Sequence, residues 1–331
     1  MLRKSLAVVC LLALASLVFV GEVTAESRFD LQAGITLTLD SHYGMGLQEF
    51  ARLVYEYSNG TITVTTHPSS LLGGERDLVE SVSMGTVAMA LISTGPIPNF
   101  FPDFAVLDLP YLFPSKEIAY KVLDGEVGTE LLGQMASGGI LGLGFWENGI
   151  RHVTNNVREI ITPEDLVGLR IRTMENEIHM NAYRHFGASP TPMAMGEVFM
   201  ALQQGVVDGQ ENPAINIYTS RLHEVQRYMS LTGTFYSPAV LMLNQAIFNS
   251  MSETQQNAVL RAAEEAKHWQ RRFSQENTAQ AIEDIRASGT LVTEVDLAVW
   301  IEASQATYRD FEGTLRQDLI QTIRQLVEEN L

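Results

Sequence analysis

Between residues 29 and 92 strand-like and helix-like patterns alternate, and this rhythm limits the chain to a sheet covered by helices. Residues 29–37 read as a β-run. Leu47, Phe50, Ala51, Val54 and Tyr57 then recur at spacings of three and four, the apolar stripe of a helix over 43–58. Asn59-Gly60 gives that helix a left-handed stop. Residues 61–66 are dominated by β-branched side chains, which favour strands. Gly73-Gly74 opens a second helix through Leu78, Val79 and Val82, and 87–92 reads as a short buried strand. A β-α-β-α-β order predicts a parallel sheet with helices on both faces.

Proline and glycine break up 95–114, so a loop is expected there. Helical pattern resumes over 115–135, 140–146 and 151–154 read as two strands, and a second α/β block runs from 169 to 243. Residues 253–287 contain neither glycine nor proline, and 297–331 contain only Gly313, so the C-terminus is expected to be helical. No flexible linker interrupts the chain. The expected class is α/β with two lobes: 26–150 mainly in lobe I, 151–245 mainly in lobe II, and a helical region over 246–331 that also contributes to lobe I. Ordered segments would cross between the lobes and leave a cleft.

The first residues suggest export. Arg3 and Lys4 precede an apolar run over 6–20, and Val23-Thr24-Ala25 ends a stretch suited to cleavage, so a signal peptide over 1–25 is expected. The run is shorter than the about 20 residues a transmembrane helix needs, and direct membrane insertion is not expected. Cys10, the only cysteine, lies inside the run, which leaves no disulfide or thiolate chemistry in the mature chain. The net charge is −17; the leader contributes +1 through Arg3, Lys4 and Glu22, leaving −18 after cleavage. So negative a chain argues against nucleic acid or an anionic membrane as partner. A small anion is not excluded, because charges more than about 10 Å away are largely screened at 0.1 M salt.

Catalytic constellations are missing from the sequence. The seven histidines form no HExxH and no close ligand pair, so neither metal nor cofactor is expected. Gly44-Met45-Gly46 lacks the third glycine of a dinucleotide fingerprint and reads as a tight turn. Glu147, Asp165 and Asp208 could act as acids, but nothing in the sequence pairs them.

Three segments carry more signal: Trp146-Glu147-Asn148-Gly149-Ile150-Arg151, Gly168-Leu169-Arg170-Ile171-Arg172-Thr173, and residues 187–213, GASPTPMAMGEVFMALQQGVVDGQENP. In the second, Arg170 and Arg172 alternate with apolar residues and share one strand face. A solvated face is the simpler reading for Arg170.

Together with Leu72-Gly73-Gly74-Glu75-Arg76 and Asp108-Leu109-Pro110-Tyr111-Leu112-Phe113, these segments resemble the dicarboxylate-binding (DctP-type) solute-binding proteins of TRAP transporters, tripartite ATP-independent periplasmic transporters. The resemblance spans essentially the whole mature chain. It implies a periplasmic, two-lobed protein with a hinge and a long scaffold helix over 253–287. It further implies no enzymatic activity, a small carboxylate ligand and delivery to membrane permease subunits. Arg172 matches the residue that salt-bridges the ligand carboxylate, Arg151 a second basic residue nearby, and Asn212 an amide that hydrogen-bonds the ligand. The rigid guanidinium fork of Arg172 suits a carboxylate on general grounds as well. Glu75, at a helix mouth, is expected near the ligand's far end, with His42, Tyr43 and Trp146 as further candidates.

Two positions depart from the family pattern. Met195 replaces an often aromatic residue, giving a softer wall or simply core. Glu175 stands where some relatives place a neutral hydrogen-bonding residue. It would repel a second ligand carboxylate and accept from hydroxyls, which favours a sugar acid (uronate, aldonate or keto acid) over a C4-dicarboxylate. Alternatively Glu175 faces solvent or pairs with Arg170. Rival functions are a sensor subunit for the same ligand, or an exported hydrolase or lyase using Glu147 and Asp208.

Overall fold

The computed structural model describes residues 27–331, so the expected leader and its cleavage point lie outside the described residues. Among these residues nine strands form one sheet in the order β2-β1-β3-β8-β4-β7-β5-β6, with β9 pairing β8. They are β1 (Phe29–Gly34), β2 (Ile62–His67), β3 (Met89–Ser93), β4 (Ile140–Asn155), β5 (Arg170–Thr173), β6 (Ser189–Pro192), β7 (Gly209–Pro213), β8 (Tyr228–Asn244) and β9 (Leu291–Thr293).

The expected parallel pairing holds at both ends of the sheet, where β1 joins β2 and β3, and β5 joins β6 and β7. The centre is different. There β8 runs antiparallel to both β3 and β4, and β4 antiparallel to β7, so the sheet is mixed. Residues 140–146 and 151–154 are not two strands but parts of the 16-residue β4. Its register with β8 shifts at Gly142/Gly144, Glu147/Gly149 and Arg151/Val153. At the first two shifts β4 carries one extra residue, a bulge that bends the strand without ending it, whereas at the third the partner jumps from Phe235 to Ser230 and the extra residues lie on β8. Gly149 has φ +132°, open to glycine, and a Cβ there would stand 2.8 Å from Pro213 Cβ.

Because β4 and β8 are so long, they pass through both halves of the molecule. Residues 239–243 of β8 pair with β3 in the first half, whereas 228–230 pair with β9 and with the far end of β4 in the second. Two strands therefore join the halves near the Glu147/Gly149 bulge.

The helices follow the sequence pattern closely. The first is His42–Tyr57, with the Ser41 side chain accepting from the Gly44 N–H as its N-cap. The 95–114 segment contains two 3-10 turns, Ile97–Asn99 and Pro102–Asp108, and buries Phe104, Val106 and Leu107. Helices Lys116–Leu123 and Glu126–Gln134 follow it. The expected long helix is Glu253–Ala287, opened by a capping box between Ser252 and Gln255. Its small buried residues, Ala258, Ala262, Ala263 and Ala266, let it lie close against the first helix and β4. At its middle Gln270 accepts from the Glu147 N–H (3.0 Å) and donates to the Glu147 carbonyl (2.7 Å), tying the helix to the β4 bulge. The last stretch divides into Leu297–Asp310 and Gln317–Glu328, with Gly313 at φ +81° between them. Among the described residues no helix is long and apolar enough to cross a membrane.

Candidate functional site

Where β4 and β8 pass between the two halves, a small cavity opens beside the bulge. Its walls come from the carboxyl ends of parallel strands: Thr36 and Leu37 follow β1, Ser93 ends β3, Met174 follows β5, and Asn212 lies in β7. Open α/β sheets bind ligands at this end of their strands. Tyr43, Glu75 and Met195 reach in from helix N-termini, Asn148 and Arg151 from β4, and Asn216 from helix Ala214–Thr219.

Arg172 is the cation this cavity leaves open. It is 3% exposed, and its Nε and Nη2 both donate to the Met193 carbonyl (2.9 and 2.6 Å). Its Nη1 is buried and has no hydrogen-bond partner among the described residues. No carboxylate among them forms an ion pair with it. Burial, and then the nearby Arg151 charge, pull its pKa down to about 10 against the opposing influence of Glu211, Glu75 and Glu175. A buried guanidinium with an unmet donor is costly. An anion in the cavity would supply the missing acceptor.

Arg151, by contrast, already has a carboxylate partner. Its Nε donates to Glu211 Oε2, and its Nη2 donates to the Glu211 carbonyl (2.8 Å) and Oε1 (2.9 Å). Behind this pair stands a buried chain of charges. His179 lies with Nδ1 3.9 Å from Glu211 Oε1 and Nε2 3.4 Å from Asp108 Oδ1, its ring stacked on Phe235 at 3.8 Å. Asn176 caps its own helix by accepting from the His179 N–H and donates to Asp108 Oδ2 (2.7 Å). Burial opposes the charged forms, but the opposite charges win. Glu211 is held down to about 2 by Arg151 and His179, and the two carboxylates raise the pKa of His179.

Six of the residues singled out in the sequence line the cavity: Tyr43, Glu75, Arg151, Arg172, Met195 and Asn212. Glu175 lines an adjoining recess with Arg172, Met174 and Met195. Its carbonyl accepts from Asn99 Nδ2 (3.1 Å), while Arg170 pairs with Asp208 (2.7 Å) instead of with Glu175. His42 and Trp146 line neither space. His42 is fully buried against the Tyr43 ring at 4.7 Å, and burial pushes its pKa down to about 3. Trp146 faces the core side of its strand: a Cβ on Gly46 would stand 2.7 Å from its ring.

Glu75 receives two hydrogen bonds from Ser93, one from N–H (2.8 Å) and one from Oγ (2.5 Å), and burial raises its pKa. Asn212 donates to Gln210 Oε1 (2.6 Å). Sequence reasoning did not single out Thr36, Leu37, Ser93, Met174 or Asn216, nor the Asp108–His179–Glu211 chain. Asn148 stood inside a quoted segment without a role of its own.

The acids proposed for a rival hydrolase are otherwise occupied. Glu147 accepts from Tyr120 Oη (2.5 Å) and Tyr236 Oη (3.0 Å), and Asp208 binds Arg170 at the surface.

Comparison with known proteins gives the family. Residues 33–314 match the family model DctP, bacterial extracellular solute-binding protein, family 7. A solute-binding protein of Verminephrobacter eiseniae is 39% identical over 302 residues, covering 91% of this chain and 90% of its own. A TRAP periplasmic solute-binding protein from Polaromonas sp. JS666, solved bound to D-erythronate, is 41% identical with a TM-score of 0.87, covering 90% of this chain and 98% of that one. The sugar acid binding protein of Advenella mimigardefordensis, solved with galactonate, is 30% identical with a TM-score of 0.90, covering 92% and 99%. Proteins of this kind bind substrates for transporters and are not enzymes. The chain belongs to the family 7 bacterial extracellular solute-binding proteins, the DctP family, as a binding protein of the TRAP type.

Proposed function

We propose that this protein works in the periplasm, capturing a small hydroxylated monocarboxylic acid of the sugar-acid class and delivering it to the permease subunits of a TRAP transporter. The observation that carries the reading is Arg172: buried, without an ion-pair partner among the described residues, and with Nη1 unmet at a cavity wall. A ligand carboxylate would complete it with charge-assisted hydrogen bonds. The rest of the wall supports a single carboxylate. Glu75 lies in the cavity and Glu175 in the adjoining recess, so a second carboxylate would meet like charge, whereas hydroxyls would find acceptors. The relatives solved with D-erythronate and galactonate hold acids of this chemistry.

Capture would proceed by closure of two lobes, mainly 26–150 and 151–245, with part of the C-terminal region 246–331 contributing to the first. The bulged crossing of β4 and β8 would serve as the hinge. Small-angle scattering should then show a smaller radius of gyration with bound ligand than without. Calorimetry with D-erythronate, galactonate and succinate tests the ligand class. Sugar acids should bind at least tenfold more tightly than succinate, and binding of succinate alone would overturn the reading.

A further inference from the structure

A relay of three side chains ends on an unmet acceptor of a residue that lines the cavity. Asn148, at the β4 bulge, donates through Nδ2 to Ser237 Oγ on β8 (3.0 Å). Its Oδ1 accepts from Asn216 Nδ2 (2.9 Å). All three residues are at least 97% buried. With its amide nitrogen committed to Asn148, Asn216 presents Oδ1, which is buried and has no hydrogen-bond partner among the described residues. Asn216 is also a wall residue of the cavity.

An amide oxygen only accepts hydrogen bonds, so a bound acid must offer a donor there or leave a buried acceptor unmet. We infer that Asn216, oriented by the Ser237–Asn148 relay, is a specificity-determining residue that reads a hydroxyl of the bound acid. The inference rests on the sugar-acid reading above and sharpens it. At the carbon facing Asn216 the ligand carries a hydroxyl, since a deoxy carbon offers nothing and a keto oxygen is itself an acceptor. The cavity then has two complementary ends. Arg172 donates to the carboxylate, and Asn216 accepts from the hydroxyl.

The test is a set of affinity ratios by calorimetry. D-erythronate is compared with its three single-deoxy analogues (3,4-, 2,4- and 2,3-dihydroxybutanoate) and with the 2- and 3-keto analogues. If galactonate is the tighter ligand, the corresponding galactonate series replaces it. Wild type should lose roughly tenfold to a hundredfold for the analogue altered at the carbon facing Asn216, whether deoxy or keto. In Asn216→Ala that ratio should collapse to within about threefold, while the ratios at other carbons persist. Asn216→Asp keeps an acceptor in place. It should weaken every acid through charge repulsion yet retain the discrimination. Because the readout is a ratio within one variant, a general loss of stability does not imitate it.

If Asn216→Ala discriminates as sharply as wild type, or a keto analogue at the sensitive carbon binds wild type as tightly as the hydroxy acid, the assignment to Asn216 is overturned. If wild type binds none of the sugar acids, the ligand-class reading itself fails and this inference falls with it.

Discussion

Arg151 and Arg172 line one cavity and are 1% and 3% exposed, yet their surroundings differ. Arg151 grips both oxygens and the carbonyl of Glu211, which is backed by His179 and Asp108. Arg172 has only the Met193 carbonyl and an unmet Nη1. A buried charge whose partners are built into the fold holds the fold. One whose partner is missing holds a place for something that arrives later. The first should govern stability and the second affinity, and variants can separate these roles.

The largest expected effect is on stability. Glu211→Gln removes the carboxylate paired with Arg151 and leaves that buried guanidinium without its counter-charge. Breaking such a pair typically costs about 3–5 kcal/mol, read as a lower urea midpoint of the ligand-free protein. A loss below about 1 kcal/mol would show that the paired region is not structural and would dissolve the contrast.

A smaller, pH-dependent effect belongs to His179. Its folded pKa is raised above the unfolded value of about 6.5. Its contribution is therefore complete below that value and fades as pH rises through the folded pKa. The groups facing the ring are Asp108 and Glu211, with Arg151 beyond Glu211; Phe235, against its face, does not titrate. Glu211, held at about 2, contributes above its unfolded value of about 4.5 and loses that contribution only as pH falls through about 2. The Tm difference between wild type and His179→Gln should thus shrink on going from pH 6 upward. A constant difference would mean that the ring is uncharged at pH 6.

The smallest effect is expected at Arg170, on the same strand face as Arg172. Its side chain is 48% exposed and paired with Asp208 at the surface, an arrangement that contributes little. Arg170→Ala should leave both the unfolding midpoint and ligand affinity within error of wild type. Loss of binding there would place the ligand on the wrong arginine.

These differences were unevenly legible in the sequence. Helix His42–Tyr57 and the long Glu253–Ala287 helix follow from apolar spacing and from the lack of breakers. The central sheet does not. Gly149 falls in the gap between two expected strands, whereas in the fold it stands at a bulge within one strand, and the β3–β8 pairing joins residues about 150 apart in sequence. Arg172 was visible because strand alternation and family resemblance coincide there. The Asp108–His179–Glu211 chain was not, because its members sit on a 3-10 turn, a helix and a strand that only tertiary structure brings together. Asn216 lies three residues beyond the proline that closes the third segment, and its role depends on Asn148 and Ser237 from distant strands.

The most direct measurement of the central claim combines calorimetry and denaturation on Arg172→Ala, with circular dichroism to confirm folding. Truncating one partner of a buried charge pair costs about 2–5 kcal/mol, so affinity for the sugar acid should fall roughly thirtyfold to several-thousandfold. Arg172→Lys should also bind poorly, since it keeps the charge but not the fork. The ligand-free Arg172→Ala protein should be as stable as wild type or more so, because an uncompensated buried charge is gone. Affinity within threefold of wild type, or a ligand-free stability loss as large as that of Glu211→Gln, would contradict the account.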